Sequence, residues 1–484
     1  MLKAETLRLM KNVFLVLLLT AAYQFRVSAF NVQYASPVPF EITLAGNFGE
    51  PRPNHFHGGV DIKTGGVEGK PISSIGDGYV SRLTVGLYGF GNAVYVTHPE
   101  GYTSVYCHLK RFTPRLQQLL RKYAGADAAE VGRFANPDIT YDVELGPMEC
   151  PVSEGQWIAV SGNTGHSQAP HLHLEIHETR TWNILDPLDF IGYLVNDSTP
   201  PQAHGLMAYP VSGLGVFNGG TGQQTFSIGA SHLTYSFTAW GKVGFGLWAD
   251  DYMEQTYNHY GIRETILSVD GQEVFHSVVN RIPTANTRQV NAWGDYEHWR
   301  HSNVWYMRSF VPPGVHLPLL QADEHRGIID FCEERPYQLA YVLRDFRGNE
   351  ARYDFTVVGQ KQQIPQAVVR PNVRYDRASL VSLPGMQLVV PAGRLADDVR
   401  ILPVVTAGSL SPCYSFSPAF PLFCPAELSI AVPSSVADAS RLCIVDQNGR
   451  RLDSVCRDGW ITASIRDLGG VYTLAIENDD KIKD

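Results

Sequence analysis

Five side chains between positions 57 and 173 have the types and spacing for metal-assisted hydrolysis: His57, Asp61, His108, His171 and His173. The densest pair lies in Pro170-His171-Leu172-His173-Leu174-Glu175-Ile176. Read as a strand, this run sends His171 and His173 to one face and Leu172, Leu174 and Ile176 to the other, into a core. Glu175 falls on the histidine face and reads as a surface carboxylate, with support of a neighbouring ligand as its other reading. His57 and Asp61 stand four apart, as on one helix face, but Gly58-Gly59 between them disfavours a helix. A tight turn bringing both to one point is expected, with the glycines permitting close approach. His55 is a rival ligand, but it lies six residues from Asp61 and has no such turn. In Tyr106-Cys107-His108-Leu109, alternation puts Tyr106 and His108 on one face, opposite Cys107 and Leu109. A lone His-x-His also occurs on ordinary strands, so the chemistry rests on the whole set. Catalytic zinc is typically held by three protein ligands, with a fourth position left for water. Two histidines and one aspartate meet that demand. Two imidazoles then remain for proton transfer, which suits amide hydrolysis.

The elements that must position these groups read as mainly β. With 484 residues, two to four domains are expected. An apolar fraction of 44% fits folded domains, and Gly 44 with Pro 30 leans to turn-rich sheets. Strands are expected over 71–79, 92–98, 102–109 and 152–161, with a helix at 114–123 inside an insertion spanning 110–150. Gly162-Asn163-Thr164-Gly165 is a turn leading into the His-x-His strand, and Asp186-Pro187-Leu188 closes the domain. Ser198-Thr199-Pro200-Pro201 reads as a linker. From 203 to 360 long alternating strands, with hairpins turning at Asp270-Gly271 and near Gly348-Asn349, suggest a β-sandwich of immunoglobulin type. The aromatic stretch Trp293 to His301 is expected to pack against the first domain, with glycan or peptide binding as the rival reading. A second β-sandwich is expected over 372–484. The fold class is thus a small antiparallel β domain with a helical insertion, followed by two β-sandwich domains.

The set as a whole resembles the LytM/lysostaphin-type zinc metallopeptidases, the peptidoglycan endopeptidase family. The pattern there is His-x-x-x-Asp, then Tyr-x-His-Leu, then His-x-His after a Gly-rich turn. This chain has His57-Gly-Gly-Val-Asp61, Tyr106-Cys-His108-Leu109 and His171-Leu-His173, in that order. Gly76-Asp77-Gly78, Ser161-Gly-Asn-Thr-Gly165 and Asp186-Pro187-Leu188 match the flanks. The likeness covers about residues 40–195. It implies one Zn2+ per chain, held by His57, Asp61 and His173, with His108 and His171 as the catalytic pair beside the water. It implies a sheet flooring an open groove and a substrate in the stem peptides of peptidoglycan. The 110–150 insertion departs from compact relatives and is expected to shape or cover that groove. The alternative is a catalytically silent relative that binds cell wall or regulates another hydrolase. Such relatives typically lack ligands, whereas here all five positions are filled.

The N-terminus reads as an export signal over 1–29. Lys11 precedes an apolar run from Val13 to Ala22, and Val27-Ser28-Ala29 offers small residues for cleavage. This predicts a peptidase domain from 30 to 198 and a location in the periplasm or cell envelope of a Gram-negative bacterium. The full chain carries a net charge of −9, and the acidic balance argues against nucleic acid as a partner. Envelope proteins bound through the downstream β domains are the other partners considered. The seven cysteines show no C-x-x-C spacing, which disfavours a structural zinc knuckle. Cys443 and Cys456 flank the Asn448-Gly449 turn, where a hairpin would let them pair.

Overall fold

The short alternating runs of the first domain pair into two antiparallel layers. In a computed structural model, residues 32–125, 141–229, 236–366, 370–436 and 438–476 are described. The expected export signal and the middle of the 110–150 segment lie outside these. The strands of the first domain are β1 (Leu44–Gly46), β2 (Pro51–Arg52), β3 (His55–Phe56), β4 (Val60–Lys63), β5 (Pro71–Ser73), β6 (Gly78–Val85) and β7 (Ala93–Thr97). They continue as β8 (Tyr102–Cys107), β9 (Arg111–Phe112), β10 (Tyr141–Glu144), β11 (Pro151–Val152), β12 (Trp157–Val160), β13 (His171–Glu178) and β14 (Ile184–Leu185). The main sheet runs β1-β4-β13-β8-β7-β6-β10, and β5-β12-β9 forms the smaller layer. Leu172, Leu174 and Ile176 of β13 are fully buried with Val60, Ile62, Ile72 and Ile158. Because β13 is hydrogen-bonded to β4 on one side and β8 on the other, its outward row is held rigid.

Where it is described, the 110–150 segment packs into the core and onto the far edge of the sheet. The helix Pro114–Ala124 starts with proline in its first turn and stops at Gly125 in the left-handed region, φ 69°. It buries Leu116 and Leu120 in the core. β10 then pairs with β6 at the far edge of the sheet, four strands from β13, or about 19 Å at ~4.8 Å per strand. The segment thus extends the sheet because Val143 continues its apolar face.

The middle domain comprises β15 (Gln202–Phe217), β16 (Gln224–Ser227), β17 (Phe237–Asp250), β18 (Glu264–Val269), β19 (Gln272–Val278), β20 (Arg281–Ile282), β21 (Met307–Arg308), β22 (Leu320–Ala322), β23 (Ile329–Phe331), β24 (Pro336–Arg344) and β25 (Glu350–Gly359). The β18–β19 hairpin turns through Asp270 and Gly271, at φ 50° and 80°. Positive φ at both central residues is what such a turn requires. β20 pairs with β14, so the first sheet runs on into the middle domain. Met253 and Tyr260 join the core of the first domain, and the Trp293 ring lies 6.0 Å from Phe56. Trp293 thus packs against the first domain, as expected of the stretch, while Trp299 stacks on Trp305 and His298 meets Tyr306 edge-on within the middle domain.

The last domain is antiparallel β, around Leu388, Leu428 and Ile461. Cys443 and Cys456 do not pair. Cys443 registers with Ala475 and Cys456 with Ile461, in different sheets, and all seven cysteines are free. Across the chain no helix of the described residues is long and apolar enough to cross a membrane.

Candidate metal centre

Register brings the first candidate ligand pair together. β4 lies antiparallel to β13 with Asp61 directly opposite His173. His57 reaches them from the turn before β4. Its ring Nδ1–H donates to the Asn47 carbonyl at 2.5 Å, which leaves Nε2 bare and facing inward. His57 Nε2 lies 3.0 Å from Asp61 Oδ1 and 3.0 Å from His173 Nδ1, and His173 Nδ1 lies 2.7 Å from Asp61 Oδ1. Three donor atoms from His57, Asp61 and His173, all buried, thus converge on one point. His55 is exposed and its ring turns to the Pro53 carbonyl, so it takes no part.

Glycine makes this approach possible. A Cβ on Gly59 would stand 2.2 Å from the Leu174 carbonyl oxygen, a backbone atom that cannot yield. Gly59→Ala must push β4 off β13 and draw Asp61 away from His173. We expect a loss of about 1–3 kcal/mol in stability, together with reduced metal occupancy. Denaturant melts and metal analysis of the purified variant check both. Unchanged occupancy would mean that β4 relaxes without moving Asp61.

His108 and His171 stand beside the triad. The rings of His108 and His171 are 4.8 Å apart and those of His108 and His173 5.8 Å. His171 Nδ1–H donates to the Ala169 carbonyl at 2.8 Å, and its Nε2 lies 3.4 Å from Asp61 Oδ1. His108 arrives differently from what alternation predicts. Cys107 registers with His173 and Tyr106 with Leu174, so Cys107 shares the histidine face and Tyr106 faces the core. β8 ends at Cys107, and His108 takes φ 58°, an uncommon conformation for a side-chain-bearing residue. That reversal returns His108 to the histidine side. The Gly162–Gly165 turn holds it there, because His108 Nδ1–H donates to the Thr164 carbonyl at 2.8 Å.

Glu175 is not a surface carboxylate. It is 4% exposed, and both its oxygens are engaged. His173 Nε2–H donates to Oε1 at 3.0 Å and His177 Nε2–H to Oε2 at 2.6 Å. His177, whose ring stacks on Trp182, was not singled out from the sequence, although alternation puts it on the same row. Burial pushes the Glu175 carboxyl up, but the hydrogen bonds from His173 and His177 outweigh it and hold it well below the usual carboxylate range. Arg52 is a second addition, 3.2 Å from Asp61 Oδ2 and 3.3 Å from Glu50.

The electrostatics favour one positive charge at the centre. Burial opposes a charge on His173, yet hydrogen bonds to Asp61 and Glu175 raise it to about 9. Burial raises Asp61, but the neighbouring histidines hold it well below its ordinary value. His108 is pushed down to about 4, by burial first and then by His173 and His171, so it is a neutral base at pH 7. Two inward imidazole lone pairs and a carboxylate oxygen within 3.0 Å repel unless a cation or protons lie between them. The donor set therefore fits a divalent metal of zinc's preferences.

Geometry alone defines a class: a His-His-Asp centre with two further imidazoles, as in metal-dependent hydrolases. Comparison with known proteins points the same way. Residues 55–138 match peptidase family M23, and residues 371–477 match the Zu5-like domain. An uncharacterized metalloprotease of Haemophilus influenzae is 30% identical over 121 residues, 25% of this chain. The chain spans 18% of that relative's length. The catalytic domain of lysostaphin from Staphylococcus simulans is 22% identical over 34% of this chain and 94% of its own, with a TM-score of 0.21. A zinc-containing peptidase from Vibrio cholerae is 24% identical over 32% of this chain and 36% of its own, with a TM-score of 0.20. Peptidase family M23 is thus the family that residues 55–138 of the first domain match, and that family implies a metal cofactor.

The Glu175 contacts give a direct expectation. Partners that fix a ligating imidazole are typically worth 10- to 100-fold in metal affinity. Glu175→Gln keeps the shape but can accept from only one of His173 and His177. Competition against a chelator should show metal bound about 10- to 100-fold more weakly, with the circular dichroism spectrum unchanged. An affinity within twofold of wild type would make Glu175 a space-filling residue only.

Proposed function

We propose that this chain is a zinc-dependent endopeptidase that hydrolyses peptide cross-links of bacterial peptidoglycan. The observation that carries the reading is the convergence of His57, Asp61 and His173, with His108 and His171 beside them, inside an M23 domain. Zinc bound there supplies an acidified water and a Lewis acid for the scissile carbonyl. His57 and His173 present fixed lone pairs because Asn47 and Glu175 take their other ring protons. His108 is neutral, and with Nδ1–H tied to Thr164 its Nε2 is free to accept a proton. His171, fixed through Nδ1–H to Ala169, offers Nε2 for the oxyanion or for the return of a proton. The proposed setting is the periplasm or cell envelope, with stem peptides as substrate and the downstream β domains available to envelope proteins.

The test is digestion of purified peptidoglycan by the full chain, read by mass spectrometry. Cross-linked dimers should disappear, a chelator should stop this, and added Zn2+ should restore it. If one zinc binds and the cross-links persist, the chain is instead a silent cell-wall-binding or regulatory relative.

A further inference from the structure

A second group of metal-ligating side chains lies at the seam between the first and middle domains, away from the histidines. Asp197 comes from the linker before β15, Asp251 follows the end of β17, and Asp345 begins the β24–β25 turn. Each offers a carboxylate oxygen, and these oxygens all lie within 4.8 Å of one another. Asp251 is 1% exposed and Asp345 4%. Asp345 is anchored: its Oδ1 accepts from the backbone N–H of Arg347 at 2.7 Å and of Asn349 at 2.9 Å, and its Oδ2 from the Asn349 amide at 2.6 Å. Asp197 Oδ1 accepts from Thr199 N–H at 3.0 Å. Two of the remaining oxygens are not satisfied. Asp251 Oδ1 and Asp197 Oδ2 are sealed from solvent and have no hydrogen-bond partner. Buried polar atoms are rarely left so, and each one asks for a missing partner.

We propose that Asp197, Asp251 and Asp345 bind one calcium ion that clamps the first domain to the middle domain. Three carboxylates with no nitrogen or sulfur donor are hard oxygen ligands, which suit calcium and not the metal of the histidine centre. Calcium also tolerates irregular geometry and takes further ligands from carbonyls and water. Electrostatics point the same way. Burial first, then the charges of Asp197 and Asp345, push Asp251 up to about 9. Burial first, with Asp345 and Glu254 adding to it, pushes Asp197 up to about 7. Without a cation these groups are held against their own ionisation; with one they ionise together. The ion joins three segments far apart in sequence: the linker, the loop after β17 and a hairpin turn. The seam it closes already carries Arg263 on Asp186 and Asp189, and the β14–β20 pairing.

The experiment is calorimetric titration of Ca2+ into the full chain, stripped of metal and then loaded with one equivalent of Zn2+. One Ca2+ should bind, with Kd between about 10^-6 and 10^-3 M, and the thermal midpoint should rise with Ca2+ concentration. Asp251→Asn should weaken binding at least tenfold and remove the thermal shift. His57→Ala, at the other centre, should bind Ca2+ like wild type. Asp345→Asn serves as a second variant if Asp251→Asn does not fold. No binding by wild type up to about 10 mM Ca2+ would overturn the proposal and leave a protonated carboxyl–carboxylate cluster. So would binding that survives in Asp251→Asn and disappears in His57→Ala.

Discussion

Asp61→Ala should lower the rate of cross-link cleavage at least about 10^3-fold, or about 4 kcal/mol of transition-state stabilisation. Asp61 is the anion that gathers the centre. One oxygen, Oδ1, lies 2.7 Å from His173, 3.0 Å from His57 and 3.4 Å from His171, while Oδ2 is held by Arg52. Its removal takes away one of three candidate ligands and the charge that turns the imidazoles inward. A metal held by two histidines alone also loses the fixed geometry of its water. Asp61→Asn separates these effects: it preserves the shape and removes only the charge. Both variants should purify with well under one metal per chain and retain the wild-type circular dichroism spectrum. Cleavage above a tenth of the wild-type rate, with metal bound, would sink the assignment of Asp61 as a ligand.

The sequence made the site legible where the strand period was protected by pairing. His171, Leu172, His173 and Leu174 alternate as read because β13 is bonded on both flanks and cannot twist away. The same rule failed at Tyr106 and Cys107. Phase along β8 is set by its register with β13, and the positive φ of His108, which no composition rule predicts, restores that residue to the right side. Glu175 was misread for a different reason. Alternation gives the face of a side chain but not what covers that face. Trp182 and His177 close over the end of the row, and a Cβ on Gly58 would meet Glu175 Oε1 at 2.5 Å. The 110–150 segment was read as one insertion because its strand, Tyr141–Glu144, is short and pairs with the distant β6. The hairpin at Asp270-Gly271 was readable because turn chemistry is local, and the failed Cys443–Cys456 pairing was not, because it depends on which sheet each strand joins.

Asp186-Pro187-Leu188 reads from sequence as the close of the first domain and a flank of the motif set, and the structure gives its aspartate a task that predicts the largest stability change. Arg263 of the middle domain binds Asp186 through Nη1, and Nη2 lies 2.8 Å from Asp189 Oδ1. The three side chains are 17%, 4% and 20% exposed, so this is a largely buried pair of carboxylates on one guanidinium. Arg263→Met removes the cation and leaves both acids facing each other. Breaking a buried ion pair from one side costs about 3–5 kcal/mol, and Asp189 Oδ2 already lacks a hydrogen-bond partner. The cost must depend on pH. Burial raises Asp186 from its ordinary 3.8 to about 6 even with Arg263 attracting its charge. Without Arg263 it rises further. A carboxyl whose folded pKa is raised keeps its full stability below the unfolded pKa and loses it as pH rises through the folded one. The Arg263→Met deficit should therefore be small near pH 4 and grow as pH rises past about 6, so that it is larger at pH 8. Adding Asp186→Asn and Asp189→Asn removes both stranded charges and should recover at least half of the loss. Urea melts at the two pH values, with limited proteolysis across 196–202 as a second reading of the seam, measure it. A deficit below about 0.5 kcal/mol at both pH values would mean that water replaces the guanidinium, and that the β14–β20 pairing with the Phe56–Trp293 contact holds the two domains together.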